Sequence, residues 1–489
     1  MSLTNLKAIT IIVAAISALI AVSWVYFKIL CIAKDKGLVD NPDARKLQIE
    51  PIPVMGGIAV FFGVAFGIMA GYTAGGMLGI EYDIILLPVL AAMVVMLYVG
   101  ALDDIRGLSP LSRLIIESLT MMGLIFAGGG CIDTFHGFWG IESFSWWFAV
   151  PLTIFVGVGI INAVNMIDGV NGLSSTLCVL SSGLYGVVFL RSGDAANATL
   201  AFSMTAALLP FMVHNIFGLR SRMFIGDAGT MVMGVLLTWF TICLLKSDSP
   251  NTFYEDASNV NLIAFALAVL CVPVFDTLRV MTMRMLKKKS PFHPDKTHLH
   301  HIFINVGVSH FITTVSEALI MVVVVVVWSI TVMLGVSIDW QLYIVVLAAA
   351  VFVWGTYAIL RYNASHHTRF LHWLVNFSVK THLGRKEWGK RITAMLDAPE
   401  DNLRAKEAKE EKDSVYVEPG DPFDLMEEDR KKVMDFMKGR AEVMVYDIVE
   451  NSGANIIYVS AILESEIRQG TIRVVKTDSG GAPTIVTIS

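Results

Sequence analysis

AITIIVAAISALIAVSWVYFKILCIA, residues 8–33, is an apolar run in which Lys28 is the one charged residue. A helix of about 20 apolar residues is long enough to cross the hydrocarbon core of a bilayer. The run is too long for the core of a signal peptide, and no small-residue cleavage site follows it. We therefore predict a retained membrane-spanning helix near the start of the chain.

Ten further apolar runs follow the first. They cover residues 56–72, 84–101, 114–130, 146–161, 172–190, 198–215, 228–245, 262–283, 312–336 and 342–360. Hydrophobic residues make up 55% of the chain and charged residues only 16%, which is too little charge to cover a water-soluble domain of this length. Because backbone groups in lipid must be paired within the protein, we predict an all-α polytopic membrane protein with about eleven transmembrane helices.

The loops between these runs differ strongly in positive charge. One alternate set holds Lys34, Lys36, Arg45, Lys46, Arg106, Arg113, Arg220, Arg222, Arg284, Lys287, Lys288, Lys289 and Lys296. The other set, together with the N-terminus, holds only Lys7, Arg191 and Lys246. Short loops rich in Lys and Arg stay in the cytoplasm, so we expect the N-terminus outside and the C-terminus in the cytoplasm.

The chain changes character after the last apolar run. We divide it into a transmembrane domain (1–361), a basic amphipathic segment (362–397), a charged linker or helix (398–440) and a small β-rich domain (441–489). The basic segment is predicted either as a helix on the anionic inner leaflet or as a solvated helix end. Strand-type runs at 443–449, 456–461, 472–475 and 484–488 predict a small α+β appendage in the cytoplasm.

Unusual polar residues cluster at helix ends in the basic set of loops. Asp103 and Asp104 are adjacent carboxylates that can accept a metal, a proton or a cation, with ordinary surface anchors as the alternative. The loop NAVNMIDGVNGL, residues 162–173, is dense in amides and carboxylates with glycines between them. Such a loop can bind a base, a ribose and a cation together, or Asp168 or Asn171 can simply cap the next helix.

Two later loops add a carboxylate and a group of histidines. In MFIGDAGT, residues 223–230, Asp227 stands at a helix start and can cap it or bind Mg²⁺. In KKKSPFHPDKTHLHH, residues 287–301, the histidines beside lysines favour phosphate binding over a transition-metal site.

Carboxylates for Mg²⁺, cationic groups for phosphate and a membrane interface together predict phosphoryl transfer between a soluble nucleotide and a lipid-borne acceptor. A transporter for an anionic substrate is the alternative class, and it would need charges within the spans. Most candidate groups lie in the loops instead, and Asp276 and Arg279 are the exception because they lie within a predicted span. They are three residues apart on one helix, so a structural ion pair explains them equally well.

The order and spacing of these motifs, from about residue 37 to residue 307, resemble the bacterial polyprenyl-phosphate N-acetylhexosamine-1-phosphate transferases of glycosyltransferase family 4. The chain is most similar to the branch that starts O-antigen, enterobacterial common antigen and teichoic acid synthesis. Residues 37–40 with Arg45, Lys46 and 53–57, the pair at 103–104, and the later motifs with Asp295 match in order. Asn171 departs from the family, in which a second aspartate is common there.

The resemblance implies a UDP-N-acetylhexosamine donor, most often UDP-GlcNAc, and undecaprenyl phosphate as acceptor, with UMP and a lipid pyrophosphoryl sugar as products. UDP-MurNAc-pentapeptide and other UDP-N-acetylhexosamines are the alternative donors. It also implies Mg²⁺ as cofactor, with Mn²⁺ as a substitute, and a cytoplasmic active site in the bacterial inner membrane. Besides membrane lipids, a homodimer and a cytoplasmic partner of residues 441–489 stay open as partners, and we expect no nucleic acid.

By this resemblance each site residue receives a role. Asp103 and Asp104 are predicted as catalytic residues, either as a base or positioning group or as a nucleophile in a two-step route. Asp227 and Asn165 are predicted metal ligands. The residues predicted to bind the nucleotide sugar are Asp40, Asn165, Asp168, Asn171, Phe224, His298, His300 and His301.

Overall fold

The computed structural model describes residues 3–40, 51–80, 86–247, 260–290, 297–366, 368–381, 387–413, 422–452, 454, 456–477 and 483–488. Contacts divide the chain into two compact units. Met1–Leu403 is called the membrane unit below, and Arg404–Ser489 the C-terminal unit.

Helices make up nearly all of the membrane unit. They are α1 (Leu3–Asp35), α2 (Gly56–Met77), α3 (Leu86–Arg106), α4 (Pro110–Gly128), α5 (Trp146–Met166), α6 (Leu173–Arg191), α7 (Ala195–Phe217), α8 (Gly226–Leu245), α9 (Leu262–Val269), α10 (Cys271–Leu286), α11 (Leu299–Asn305), α12 (His310–Met333), α13 (Ile338–His366), α14 (Arg369–Lys380) and α15 (Glu387–Asp413), of which residues 387–403 belong to this unit. In the described part of the chain, α1 to α8 with α12 and α13 are ten helices long and apolar enough to cross a membrane. The prediction of a multi-pass helical protein is confirmed.

The ninth predicted span is not one straight helix. Within residues 262–283 the structure has α9 and α10, which meet at Leu270 with a bend of 78°. Pro273 contributes to the break, because proline lacks a backbone N–H and its ring crowds the carbonyl four residues earlier, at Val269. If this broken pair is counted as one span, the described residues contain up to eleven spans.

Helix α8 is the central element of the membrane unit. It is buried along its whole apolar length, among side chains of the surrounding helices. Helix α3 approaches it backbone to backbone, because a Cβ on Gly100 would lie 2.4 Å from the backbone N of Ala228. Asp227 and the end of α3 are therefore held close together at one end of the bundle.

Two short strands lie at the same end. β1 (Val39–Asp40) pairs antiparallel with β2 (Ile52–Pro53). The chain after β2 continues beside the start of α8, since Phe224 N donates to Pro53 O at 2.8 Å and Gly56 N donates to Phe224 O at 2.9 Å. This strip brings Asp40 and Phe224, which are far apart in sequence, to one edge of the bundle.

The C-terminal unit is an α+β fold. It contains α16 (Pro422–Met437), β3 (Val443–Met444), α17 (Val445–Asn451), α18 (Ile456–Arg468), β4 (Ile472–Thr477) and β5 (Pro483–Ile488). The strands form an antiparallel sheet in the order β3-β5-β4. A small core beneath it includes Val433, Ile448, Val459, Ile462, Leu463 and Val486.

Two of the four strand predictions in this unit are wrong. Residues 445–451 and 456–468 are helical, although the apolar runs there suggested strands. The buried residues Val459, Ile462 and Leu463 have the three-to-four spacing of a helix face, and a short apolar run does not distinguish the two structures by itself. The predicted strands at 472–475 and 484–488 are present in β4 and β5.

Candidate active site

A cavity of about 530 Å³ lies where the loops at this end of the bundle converge. Most of the predicted site residues line it, namely Asp40, Asp103, Asp104, Asp168, Asn171, Phe224, Asp227 and His301. Asn165, His298 and His300 are not part of the lining. Five segments that are widely separated in sequence therefore contribute to one site.

Asp104 joins the end of α3 to the start of α8. Its Oδ1 accepts a hydrogen bond from Asp227 N at 2.9 Å, and its Oδ2 accepts one from Ala228 N at 3.2 Å. These are N–H groups of the first turn of α8, which have no partner within the helix and favour a negative charge. Gly226 has φ +70°, and a Cβ there would lie 2.5 Å from the Asp104 carboxylate, so glycine leaves room for this contact.

Asp103 is held by a different set of donors. Its Oδ2 accepts from Arg113 Nη1 at 2.9 Å, and its Oδ1 accepts from Leu108 N at 2.7 Å. Only 9% of its side chain is exposed. The two adjacent carboxylates are thus separated, one bound to a guanidinium and the other to a helix start.

Arg113 connects the acidic groups behind the cavity. Besides Asp103, its Nη2 donates to the Oδ1 atoms of Asn162 (3.2 Å) and Asn165 (3.0 Å). Its Nη1 is 3.7 Å from Asp227 Oδ2, and its Nε is 3.5 Å from Glu117 Oε1. A planar guanidinium has enough donors in a fixed fork to serve all of these acceptors.

Sequence reasoning missed Arg113 as a site residue and counted it only as a loop charge. A signal was present, because Arg113 and Glu117 are four residues apart on one helix and Glu117 is an acid within an otherwise apolar stretch. The structure shows Glu117 fully buried.

Asp227 lines the cavity and is more exposed than Asp103. It keeps 34% of its side-chain exposure. Its Oδ1 accepts from Asn165 Nδ2 at 2.6 Å, and the same amide donates to Thr230 Oγ1 at 2.8 Å. Asn165, which was predicted as a metal ligand, therefore fixes the Asp227 side chain with its nitrogen while its oxygen faces Arg113.

The loop between α5 and α6 carries Asp168 and Asn171. Asp168 Oδ1 accepts from Ser174 Oγ at 2.5 Å. Burial raises the pKa of Asp168 to about 6, and nearby Asp227 adds to this while the bond from Ser174 opposes it. The backbone around Asn171 is fixed by α12, because Asn171 N donates to His310 Nδ1 (3.2 Å) and Asn171 O accepts from Thr314 Oγ1 (3.0 Å).

The three histidines have different surroundings. His301 lines the cavity. His298 Nδ1 lies 2.8 Å from Asp276 Oδ2, so His298 is paired inside the protein. His300 is buried with its ring against the backbone of Gly169, and burial, with the neighbouring His301 and His298, lowers the pKa of His300 well below its usual value.

Asp276 and Arg279 form the structural ion pair that their spacing indicated, with 2.6 Å between Arg279 Nη2 and Asp276 Oδ1. The pair also organises the histidine loop, because Asp276 accepts from Leu299 N and Arg279 donates to Thr297 O. Phosphate binding by all three histidines stays a prediction. Arg45, Lys46 and Asp295, which the resemblance also includes, lie outside the described residues, and so does Lys296 of the basic loop set.

The chemistry of this donor set fits a divalent cation. Asp103, Asp104 and Asp227 bring three carboxylates to the cavity, with Arg113 as the guanidinium beside them. Among the described residues, no group of three or more His, Cys, Asp or Glu side chains is arranged so that it could hold a metal ion by itself. Mg²⁺ does not need one, since it is usually held by one or two carboxylates together with water and substrate phosphates.

Comparison with known proteins agrees with these features. The family model "Glycosyl transferase family 4" matches residues 86–245, which include Asp103, Asp168 and Asp227. The chain is 31% identical over 274 residues to the undecaprenyl-phosphate alpha-N-acetylglucosaminyl 1-phosphate transferase of Yersinia pestis, covering 55% of this chain and 70% of that relative.

Two further relatives show the same pattern. The transferase of the same description from Escherichia coli strain K12 is 32% identical over 283 residues, which cover 56% of this chain and 71% of that relative. The probable undecaprenyl-phosphate N-acetylglucosaminyl 1-phosphate transferase of Bacillus subtilis is 31% identical over 305 residues, which cover 62% of this chain and 80% of that relative.

Proposed function

This chain belongs to glycosyl transferase family 4, and we propose that it transfers GlcNAc 1-phosphate from UDP-GlcNAc to undecaprenyl phosphate with release of UMP. It is a multi-pass membrane protein and a sugar-phosphate transferase. The acceptor and the transferred GlcNAc 1-phosphate are inferred from the names of its relatives, whereas the UDP of the donor is inferred from the family resemblance of the sequence motifs. The observation that carries the proposal is the convergence of Asp103, Asp104, Asp168, Phe224 and Asp227 on one cavity.

In the proposed reaction an oxygen of the lipid phosphate forms a new bond to the phosphorus that carries the sugar. The bond from that phosphorus to the bridging oxygen breaks, and this oxygen leaves with UMP. A Mg²⁺ ion bound with the donor pyrophosphate would neutralise the charge that develops on it. Asp227 would hold the ion, because its side chain is 34% exposed at the cavity whereas both oxygens of Asp103 and Asp104 already accept hydrogen bonds, and Asn165 keeps the Asp227 carboxylate oriented.

Asp103 and Asp104 are suited to positioning rather than to covalent attack. Both oxygens of Asp104 accept hydrogen bonds from α8, and both oxygens of Asp103 accept from Leu108 N and Arg113. A carboxylate held in this way is a weaker nucleophile. The second pKa of a phosphate monoester is near 6, so the lipid phosphate is largely ionised at neutral pH and needs little help from a base. Both arguments favour a one-step transfer.

The loop between α5 and α6 and Phe224 would bind the nucleoside. Phe224 presents an aromatic ring at the cavity for stacking on uracil, while Asp168 and Asn171 offer hydrogen-bond partners to the base and ribose. His301 is placed to contact a donor phosphate, and His298 and His300 support the loop that carries it.

We place this site on the cytoplasmic side of a bacterial inner membrane, with the N-terminus outside. The excess of Lys and Arg in the loops at the cavity end supports this orientation. Helix α14 is proposed to lie on the same leaflet, because Phe370, Trp373 and Phe377 are exposed and stacked in a row, with ring centroids 6.1 and 5.7 Å apart. Arg369 and Lys380 at its two ends suit an anionic surface.

A transporter is not favoured, because the Asp276–Arg279 pair holds the histidine loop instead of lining a path through the membrane. The test is UMP release by the purified protein with undecaprenyl phosphate and Mg²⁺, in parallel with UDP-GlcNAc, other UDP-N-acetylhexosamines and UDP-MurNAc-pentapeptide. We expect UMP release that depends on both lipid and Mg²⁺, and fastest with UDP-GlcNAc. Folded protein that releases no UMP from any donor would refute the proposal, and release from another donor alone would correct the sugar.

A further inference from the structure

Asp397 lies on α15, well beyond residues 86–245 that match the family model, yet its carboxylate is bound to the membrane bundle. Its Oδ1 accepts from Leu219 N (3.3 Å), Ser221 N (2.9 Å) and Ser221 Oγ (2.7 Å). Its Oδ2 accepts from Arg220 N at 3.2 Å. Three consecutive backbone N–H groups and a hydroxyl therefore surround one carboxylate that is only 3% exposed.

This carboxylate is charged at neutral pH. Burial alone would raise the pKa of Asp397, but the N–H groups of residues 219–221 and the Ser221 hydroxyl outweigh it and lower the pKa below its usual value. Hydrogen bonds to a charged acceptor are shorter and stronger than neutral ones. Burying a charged carboxylate is unfavourable unless hydrogen bonds replace its contacts with water, so the contact of Asp397 with residues 219–221 is a specific one.

Two further residues on this face of α15 also interact with the segment at residues 217–221, Thr393 directly and Glu400 through Lys34. Thr393 Oγ1, four residues before Asp397, donates to Phe217 O at 3.0 Å. Glu400, three residues after it, accepts from Lys34 Nζ at 2.6 Å, and the same ammonium donates to Arg220 O at 2.7 Å. Helix α15 is thus joined to residues 217–221 by side chains along one and a half to two turns of its surface.

The bundle holds the other side of this segment. Tyr26 OH donates to Ser221 O at 2.7 Å, and the ring of Tyr26 stacks on His214. His214 Nδ1 is in turn 3.2 Å from Ser221 Oγ. Ser221 is therefore fixed between α1, α7 and α15.

From Ser221 the chain leads directly into the candidate active site. Met223 O accepts from Asn215 Nδ2, Phe224 pairs with the strip at Pro53 and Gly56, and Asp227 follows as the second residue of α8. Residues 218–225, here called the α7–α8 loop, carry Phe224 and set the start of α8. Because Phe224 and Asp227 follow Ser221 within six residues, greater mobility of the backbone at Ser221 would also displace these two side chains.

We propose that Asp397 is a positioning residue of the transferase site, which fixes the α7–α8 loop and thereby the placement of Phe224 and Asp227. Helix α15, which follows the last membrane-crossing helix, then contributes to the geometry of the active site. The kinetic part of this inference rests on the proposed function, whereas its structural part, the ordering of the loop, does not.

The test uses the full-length protein with Asp397→Ala, Asp397→Asn and a matched control. Alanine removes every acceptor, whereas asparagine keeps one oxygen but turns an N–H₂ group toward the backbone N–H groups. The control is Arg391→Gln, which removes a charge from an exposed position of the same helix. Backbone hydrogen–deuterium exchange is measured without substrates, and UMP release gives kcat and KM.

We expect exchange at residues 219–221 to become about tenfold faster or more in Asp397→Ala, with faster exchange extending to residues 222–227. We expect kcat/KM to fall about tenfold, with Asp397→Asn between it and wild type. The Arg391→Gln control should match wild type in both measurements. Ser221→Ala removes the hydroxyl donor to Asp397, together with its contact to His214, and leaves the three backbone donors in place. It should show the same changes to a smaller extent and serves if Asp397→Ala fails to fold.

Unchanged exchange at residues 219–221 would overturn the inference. So would faster exchange confined to residues 219–221 with unchanged kcat/KM, since the loop would then be anchored without effect on the site. If the wild-type protein releases no UMP from any donor, the proposed function fails, and exchange at residues 222–227 still decides whether Asp397 orders the loop that carries Phe224.

Discussion

Replacing Arg113 by methionine should disable the site more than it disrupts the fold. The guanidinium is 2.9 Å from Asp103, 3.0 and 3.2 Å from two asparagine oxygens, and 3.7 Å from Asp227. Methionine has a similar length but no donors. The carboxylates of Asp103, Asp227 and Glu117 would then face one another without the cation that now lies among them.

The size of the effect follows from these contacts. A charge-assisted hydrogen bond to Asp103 contributes about 2 kcal/mol, and the two bonds to asparagine about 0.5 kcal/mol each after allowance for partial exposure. The sum of about 3 kcal/mol corresponds to a loss of about 100-fold if it is expressed in the transition state. Repulsion among the carboxylates would also hinder binding of an anionic donor, so KM should rise.

The assay is lipid-dependent UMP release, with thermal unfolding measured in parallel. Arg113→Lys keeps the charge but a single ammonium cannot serve all the acceptors, so we expect a loss of about tenfold. In the double variant Arg113→Met, Asp103→Asn, the unfolding loss should be smaller than the sum of the single losses, because the unpaired carboxylate is also removed. Turnover of Arg113→Met within threefold of wild type, with an unchanged unfolding temperature, would refute the reasoning.

Three further predictions concern the same site. Asp168 has a pKa near 6, above the ordinary value near 3.8, so the folded protein favours its protonated form. The contribution of Asp168 to the free energy of unfolding is therefore complete below about pH 4 and is lost as the pH rises through 6. Asp168→Asn should therefore stabilise the protein by on the order of 1 kcal/mol at pH 7.5, less at pH 5, while kcat/KM falls; equal shifts in unfolding temperature at both pH values would contradict this. Gly100→Ala should separate α3 from α8 and break the Asp104 bonds to Asp227 N and Ala228 N. We expect turnover to fall at least tenfold and the free energy of unfolding to fall by about 1–3 kcal/mol. Wild-type turnover would show that the close approach of α3 to α8 is dispensable. Phe224→Leu should raise KM for the UDP-sugar about tenfold through lost stacking on uracil, and an unchanged KM would remove Phe224 from the nucleotide site. The control is Phe126→Leu, at an exposed phenylalanine of α4 that contacts Trp146.

The membrane helices could be predicted from the sequence because each is a long apolar run, and only length and hydropathy are needed to recognise one. The break between α9 and α10 could not be located with the same ease. Pro273 is visible in the sequence, but proline inside a membrane helix is often tolerated, so the bend of 78° depends on the packing around it.

The cavity lining was largely foreseeable, since Asp103, Asp104, Asp168 and Asp227 stand out as carboxylates at helix ends. The hydrogen-bond partners of these residues could not be predicted from the sequence. Asp104 bonds to the start of α8, Asp103 to Arg113, and His298 to Asp276, and each of these pairs joins separate elements. Such partners are set by helix packing, which local sequence patterns do not encode.

The role of Asp397 was also hidden from the sequence. An aspartate at the boundary of a basic segment and a charge-rich linker resembles a solvated residue. Its burial depends on Leu219, Arg220 and Ser221, which are more than 170 residues earlier in the chain. In the C-terminal unit the errors at 445–451 and 456–468 have a local cause, because short apolar runs fit a strand or one helix face equally well.

The central claim is that the UDP-sugar and the cation bind together in the cavity lined by Asp104 and Asp227. Ile105→Cys tests it, because residue 105 lines the cavity and is 57% exposed, whereas all five native cysteines are buried. The rate of reaction with a maleimide is measured with and without UDP-GlcNAc and Mg²⁺, and Leu334→Cys, which is 74% exposed between α12 and α13, is the control.

At a donor concentration ten times its Kd, with Mg²⁺ present, we expect Ile105→Cys to react about tenfold more slowly, since only the unbound fraction is open to the reagent. Without Mg²⁺ the protection should be weaker, and Leu334→Cys should react at one rate throughout. An Ile105→Cys protein that releases UMP yet reacts equally fast with and without donor would place the substrate elsewhere and contradict the account.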